Sequence, residues 1–291
     1  MKKIIALFVA ALVCVVSYAQ ADTLRILAIG NSFSEDGLEY LPDLLEAAGV
    51  HNVIVGKLYI GGCSLERHCR EYRGDLKNYR YSKSVKNEWV KEEGVGILRG
   101  IEDEPWDIVT MQQNSGSSGI YETYNPWFGE LVSIVRKHCS NTGARIYWHQ
   151  TWAYSRNSDH REFPKYGRDQ KTMYEAILDC NRRLLSDNPA IAGVIPDGAS
   201  TMFVRTSKLN DSKDITRDGY HQNYQYGRYT LACTWYEALV APFTGKSVKG
   251  NKCLLKASGR ELSPKAARIC QKAACKAVRA PFATYEAPYT E

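Results

Sequence analysis

LRILAIGNSFSEDG, residues 24–37, is an apolar run that a glycine cuts off and hydroxyls follow at once. Leu24, Ile26, Leu27 and Ile29 have the aliphatic, β-branched character of a strand buried on both faces, and Gly30 ends it. Asn31, Ser32 and Ser34 then stand where the strand passes into a helix. Ligands of parallel sheets bind outside the carboxyl ends of the strands. A serine there is either a turn or cap residue or a group that meets substrate, and the rest of the chain decides between them.

Segments of the same kind recur at 53–60, 107–111, 144–148 and 191–195, with helical patterns between them. Leu41, Leu44, Leu45 and Ala48 share one helix face. Asn125 and Pro126 read as a cap and first turn, ahead of a stripe of Trp127, Phe128, Leu131, Val132 and Val135. Met173, Tyr174, Ile177, Leu178, Leu184 and Leu185 mark a third helix, and Leu231, Trp235, Tyr236 and Leu239 a fourth. The alternation predicts an α/β fold, a mostly parallel five-stranded sheet with helices on both faces. Residues 62–104 are polar and charged and read as an insertion with short helices. After Ala241 come Gly245, Gly250, Gly259 and Pro264, then an Ala/Lys-rich helix over about 264–278. We expect a single domain over 22–291, with a helical extension from about 241.

Residues 1–21 read as a cleaved signal peptide: Lys2 and Lys3, an apolar stretch over 4–16, then Ala19-Gln20-Ala21. The stretch is too short for a membrane span, and Val13 before Cys14 does not fit a lipoprotein signal. The expectation is an exported chain starting near Asp22, periplasmic or secreted, with no membrane anchor. Cleavage takes two lysines and lowers the formal charge from +6 to +4. The basic residues are scattered along the chain, which argues against nucleic acid as a partner. Eight cysteines remain, Cys63, Cys69, Cys139, Cys180, Cys233, Cys253, Cys270 and Cys275, none at CxxC spacing. They suggest no zinc site; an oxidising compartment allows disulfides among them, with no pairing deducible from sequence, while the helical patterns around Cys180 and Cys233 suit buried free thiols.

Three more loops leave the same sheet edge as Ser32. Gly61-Gly62 follows the second strand, Gln112-Gln113-Asn114 the third, and Asp218-Gly219-Tyr220-His221 precedes the fourth helix. Acyl transfer needs a nucleophile, a base and donors for the developing oxyanion. Ser32 can be the nucleophile, His221 the base, and Asp218 the acceptor that fixes the imidazole tautomer. The N–H groups of Ser32 and Gly62, with a side-chain amide of Gln113 or Asn114, can form the oxyanion hole, each donor contributing about 3–4 kcal/mol. Singly, each residue reads as a turn or cap. Their order along the chain, each at a strand end, favours catalysis. Asp211 and Asp214 lack the spacing of Asp218 to His221, and His68 and His149 are weaker candidates for the base.

This order resembles the SGNH hydrolases, the GDSL-like lipase/esterase superfamily. That family's four blocks carry Ser, Gly, Asn and His, with an Asp three residues before the His. Residues 147–153, YWHQTWA, are similar to a branch of it described only as a domain of unknown function. The resemblance covers about 24–281. It implies a flavodoxin-like three-layer α/β/α sandwich and ester hydrolysis without metal or organic cofactor. Asn31 replaces the usual aspartate before the serine, and Met111-Gln112-Gln113-Asn114-Ser115-Gly116 replaces the usual Gly-x-Asn-Asp. Asn114 has the family's residue type, and Gln113, longer and nearer the strand end, is preferred.

Trp152 and Tyr154, past the fourth strand, are the candidate sugar-stacking residues, and His149 is a further candidate contact. With a polar insertion where a lipase would carry an apolar lid, the expected substrate is O-acetylated carbohydrate. A short-chain lipase or thioesterase ranks behind it. A carbohydrate-binding protein without activity is the alternative from outside the enzymes.

Overall fold

The computed structural model describes residues 23–256 and 259–290, so the expected signal peptide lies outside the described residues. The sheet is built from β1 (Leu24–Gly30), β2 (Val53–Tyr59), β3 (Tyr79–Val85), β4 (Glu88–Val95), β5 (Ile108–Met111), β6 (Arg145–Gln150) and β7 (Ile191–Pro196). They pair in the order β4-β3-β2-β1-β5-β6-β7. β1 lies at the centre, parallel to β2 with Gly30 opposite Tyr59, and parallel to β5 with Ile29 opposite Met111. β6 and β7 extend the parallel part.

The sheet has seven strands where five were expected. The extra pair, β3 and β4, is an antiparallel hairpin added at the β2 edge, within the segment read as an irregular insertion. The helices expected there are present as α3 and α4, placed below. The hairpin escaped notice because β4 reads EWVKEEGV and is almost wholly exposed. An edge strand facing water on both sides carries no apolar alternation to detect.

The helices are α1 (Ser32–Leu38), α2 (Leu41–Ala47), α3 (Leu65–Arg73), α4 (Ile97–Ile101), α5 (Trp127–His138), α6 (Gln170–Asp187), α7 (Asp197–Arg205), α8 (Tyr226–Trp235), α9 (Ala241–Thr244) and α10 (Pro264–Arg279). β1 divides its side chains between two cores, as the two-residue period of a strand requires. Ile26 and Ala28 join Leu41, Leu44, Val204, Leu231 and Cys270 on one side of the sheet. Leu27 and Ile29 join Leu65, Ile101, Leu131 and Val135 on the other. The result is the expected three-layer α/β/α arrangement. α10 buries Ala266, Ala267, Cys270, Ala273, Ala274 and Ala277, a face of small residues that lets it pack closely against α7 and α8.

Two local expectations change. α5 starts behind Pro126 with no side chain capping it, so Asn125 is not its cap. α7 went unread because all nine of its residues are buried, leaving no polar face to mark a helical period. The eight cysteines are buried free thiols among the described residues. No helix among the described residues is long and apolar enough to cross a membrane.

Candidate active site

The chain leaves β1 at Gly30, where a Cβ would come 2.4 Å from Ser34 Oγ and 2.9 Å from Gln112 Oε1, so only glycine allows the tight exit. Asn31 caps α1, its Oδ1 accepting from Phe33 N at 3.0 Å, which sets Ser32 as the first helical residue. A first-turn N–H has no intrahelical acceptor, which leaves the Ser32 amide available to a ligand. Asn31 is buried, Ser32 partly exposed.

His221 reaches Ser32 from the other end of the chain. Its Nε2 lies 2.8 Å from Ser32 Oγ, and its Nδ1 lies 2.7 Å from Asp218 Oδ2. The other Asp218 oxygen accepts from the backbone N–H of His221 at 2.8 Å. Partial burial pushes the Asp218 carboxyl up, but hydrogen bonds from the His221 ring and backbone outweigh it and hold the group below the usual carboxylate range. The loop is pinned at several points. Arg217 N donates to His221 O at 3.0 Å, Gly219 N to Thr216 Oγ1 at 3.0 Å, and Ser155 N to Gly219 O at 2.8 Å. Buried Asp36, one turn after Ser32 on α1, accepts Gln222 N at 2.9 Å.

Asp211 and Asp214 serve other structures. Asp214 pairs with Arg156 at 2.8 Å, and Asp211 Oδ1 accepts from Lys213 N and Ile215 N. His68 is buried on α3, with Nδ1 2.7 Å from the Tyr79 hydroxyl, and burial pushes its pKa down to about 3.

Gly62 stands in an exposed turn with φ of +62°, a conformation that favours glycine, and no backbone partner among the described residues takes its N–H. The turn is tied to the Ser32 strand end because Asn31 Nδ2 donates to Cys63 O at 2.9 Å. Asn114 uses Oδ1 to cap the short helical turn Ser115–Ser117, accepting from Ser117 N at 2.9 Å, and keeps Nδ2 as a donor. Gln113, the residue preferred from the sequence, is committed elsewhere. Its Nε2 donates to Thr123 O and Oγ1 at 3.0 and 3.1 Å, and its Oε1 accepts from Leu65 N and Asn114 N. Its length lets it tie three loops together, which removes it as an oxyanion donor.

The three expected substrate contacts are buried. Trp152 is 0% exposed, stacked on Phe33 with ring centres 3.8 Å apart, and its Nε1 donates to Tyr220 O at 2.7 Å. Tyr154 is fully buried too, its hydroxyl 2.9 Å from Ser115 Oγ. His149 lies inside a chain of side chains: Gln112 Nε2 to Asn31 Oδ1 at 2.8 Å, His149 Nδ1 to Gln112 Oε1 at 2.8 Å, His149 Nε2 to Asp197 Oδ2 at 2.7 Å. Trp235 Nε1 closes the chain on Asp197 at 2.8 Å. This network underlies the Ser32 turn and does not line its surface.

The accessible aromatics are others. Tyr220 lies against His221, ring centres 4.1 Å apart, and against His160 at 4.5 Å, and both Tyr220 and His160 are partly exposed. Tyr220 lies within the DGYH motif, between the two residues read as catalytic, and His160 lies in a loop with no periodicity to mark it. Among the described residues, no group of His, Cys, Asp and Glu is arranged to hold a metal ion.

The central strand thus ends in a serine that is met by a histidine three residues after an aspartate, the arrangement the sequence resemblance leads one to expect. Residues 25–277 match the family described as Domain of unknown function (DUF4886), and the chain belongs to that family. It is similar to a DUF4886 family protein from Bacteroides uniformis of known crystal structure. The identity is 37% and the TM-score 0.82, over 91% of this chain and 98% of that one. A GDSL-like lipase from Bacteroides thetaiotaomicron is 15% identical at TM-score 0.41, covering 75% of this chain and 86% of its own. An acetylxylan esterase from Geobacillus stearothermophilus is 12% identical at TM-score 0.47, covering 78% and 97%. No curated protein matches the chain.

Proposed function

We propose that the protein is an exported serine esterase. The observation that carries this reading is the series Ser32 Oγ, His221 Nε2 and Nδ1, Asp218 Oδ2, with contacts of 2.8 and 2.7 Å at a partly exposed strand end. Ser32 Oγ attacks the ester carbonyl while His221 Nε2 takes its proton. Asp218 accepts the Nδ1 hydrogen and stabilises the imidazolium. The oxyanion meets the N–H groups of Ser32 and Gly62 and the amide of Asn114. Collapse of the tetrahedral intermediate returns the proton to the departing alkoxide and leaves an acyl-serine. Water, deprotonated by His221, then releases the acid and restores Ser32.

The substrate in this reading is an O-acetylated carbohydrate. Tyr220, half-open beside His221, offers an aromatic face to a sugar ring. The test is hydrolysis of p-nitrophenyl acetate and butyrate by the wild type and Ser32→Ala. Turnover of acetate over butyrate, lost in a variant with unchanged thermal unfolding, is the expected result. Turnover that survives the substitution overturns Ser32 as nucleophile.

A further inference from the structure

Three arginines converge on one tyrosine ring beside the site. The guanidinium carbons of Arg217, Arg228 and Arg260 lie 4.9, 4.8 and 4.2 Å from the ring centre of Tyr224, which is 43% exposed. Tyr224 is reached from His221 along α1. His221 meets Ser32, Gln222 N donates to Asp36 Oδ2 at 2.9 Å, and the Tyr40 hydroxyl donates to Tyr224 O at 2.6 Å. At a rise of about 1.5 Å per residue, Asp36 lies about 6 Å along α1 from Ser32, and Tyr40 stands in the turn just past the end of α1 at Leu38. The arginine cluster therefore begins about one sugar ring from the proposed nucleophile, at Asp36, and extends past the end of α1 to Tyr40.

The cluster is not neutralised from within. Among the described residues Asp36, fully buried, is the one carboxylate it contacts, taking Arg228 Nε at 2.8 Å and Arg217 Nη1 at 3.1 Å. Glu39 attracts Arg228 only across space and pairs with Lys57 at 3.8 Å, and Glu261 pairs with Lys256 at 4.0 Å. Arg260 has no acidic partner among the described residues. Its Nη1 donates to the Tyr40 hydroxyl at 2.8 Å, and a guanidinium carries five N–H donors in a fork suited to an oxyanion. Positive charge and unspent donors are thus held in place by an exposed aromatic ring, on the face that leads away from Ser32.

We propose that Arg260, with Arg217 and Arg228 around Tyr224, forms a subsite for an anionic group, carboxylate or sulfate, carried by the alcohol half of the ester one or two sugar units from the acylated hydroxyl. The position of the ester rests on the serine-esterase reading, but binding at the subsite needs no turnover. The substrate class is then an acylated acidic glycan.

The test separates the two readings. Ser32→Ala protein is titrated calorimetrically with an oligogalacturonide, a sulfated oligosaccharide and a neutral xylo-oligosaccharide of equal length, in low and high salt. One anionic oligomer should bind at least about tenfold tighter than the neutral one, with the advantage falling in high salt. The better of the two identifies the anion. Adding Arg260→Gln should weaken that binding about tenfold, the size of one charge-assisted contact, and Arg260→Lys should restore part of it. Arg260→Gln alone should leave p-nitrophenyl acetate turnover unchanged. Equal affinity for the neutral oligomer, or unaltered anion affinity in Arg260→Gln, overturns the subsite. A wild type inert towards p-nitrophenyl acetate counts against the esterase reading instead, and the titrations still decide the subsite.

Discussion

Gln112 and Asn31 meet side chain to side chain beneath Ser32, with Gln112 Nε2 donating to Asn31 Oδ1 at 2.8 Å. The contact fixes which end of Asn31 faces the glycine turn, leaving Nδ2 to hold the Cys63 carbonyl at 2.9 Å. A carboxylate at this position would set an oxygen against that carbonyl. Asn31→Asp should cost about 1–3 kcal/mol at neutral pH, the usual penalty for unpairing a buried polar group. Its folded-state pKa would be raised, so the penalty should shrink as pH falls and the acid form donates again. Urea unfolding at pH 7 and pH 4 measures both, and equal stability of variant and wild type at pH 7 would refute the argument.

Asp218 behaves in the opposite sense. Its carboxyl lies below the usual range in the folded state, so the folded protein binds fewer protons than the unfolded one. The stabilisation is complete above the unfolded value near 3.9 and is lost as pH falls through the lower folded value. Asp218→Asn should therefore unfold at a lower temperature than wild type at pH 6, with the gap closing towards pH 3. Activity should drop about 10²–10⁴-fold, because an amide no longer selects the tautomer with Nδ1 protonated. A gap in unfolding temperature that stays constant with pH would contradict this assignment.

Trp152 and Tyr220 should respond differently to truncation. Trp152→Ala removes a fully buried ring stacked on Phe33 and should cost about 3–5 kcal/mol. Tyr220→Ala, at a partly exposed ring, should change stability by less than about 1 kcal/mol while raising KM for a glycan ester more than it lowers kcat. Thermal unfolding and steady-state kinetics on the pair decide between packing and substrate contact.

Gln113 and Asn114 divide in the same way. Gln113→Ala breaks the ties to Thr123, Leu65 and Asn114 and should appear mainly as about 2–3 kcal/mol of lost stability. Asn114→Ala gives up one cap of about 1 kcal/mol and should lower kcat about 10²-fold with KM little changed. A large kcat loss confined to Gln113→Ala would return the oxyanion role to Gln113.

The sequence carried what local chemistry dictates. The five parallel strands were legible because strands buried on both faces must be continuously apolar. Ser32, Asp218 and His221 were legible because their order and the Asp-x-x-His spacing meet at one sheet edge. β4 and α7 were not, since full exposure and full burial erase periodicity equally. Trp152 and Tyr154 were misread because position past a strand end says nothing about the direction of a side chain. Gln112 and Gln113 are neighbours of one residue type in the sequence, and only their three-dimensional partners tell that Gln113 ties loops and Gln112 carries the Asn31 network.

That network also fixes how many protons it holds. Since Gln112 Nε2 is spent on Asn31, its Oε1 must accept, and His149 Nδ1 must carry hydrogen. The 2.7 Å contact between His149 Nε2 and Asp197 Oδ2 requires one more hydrogen between them. Burial pushes the Asp197 carboxyl up, and wherever that hydrogen rests the pair has no net charge, which is how it lies in the interior without a counterion. Sealed under the Ser32 turn, this hydrogen should give a far-downfield proton resonance that persists in D2O, its isotope exchange timed by the opening of the whole sheet edge and not by solvent contact.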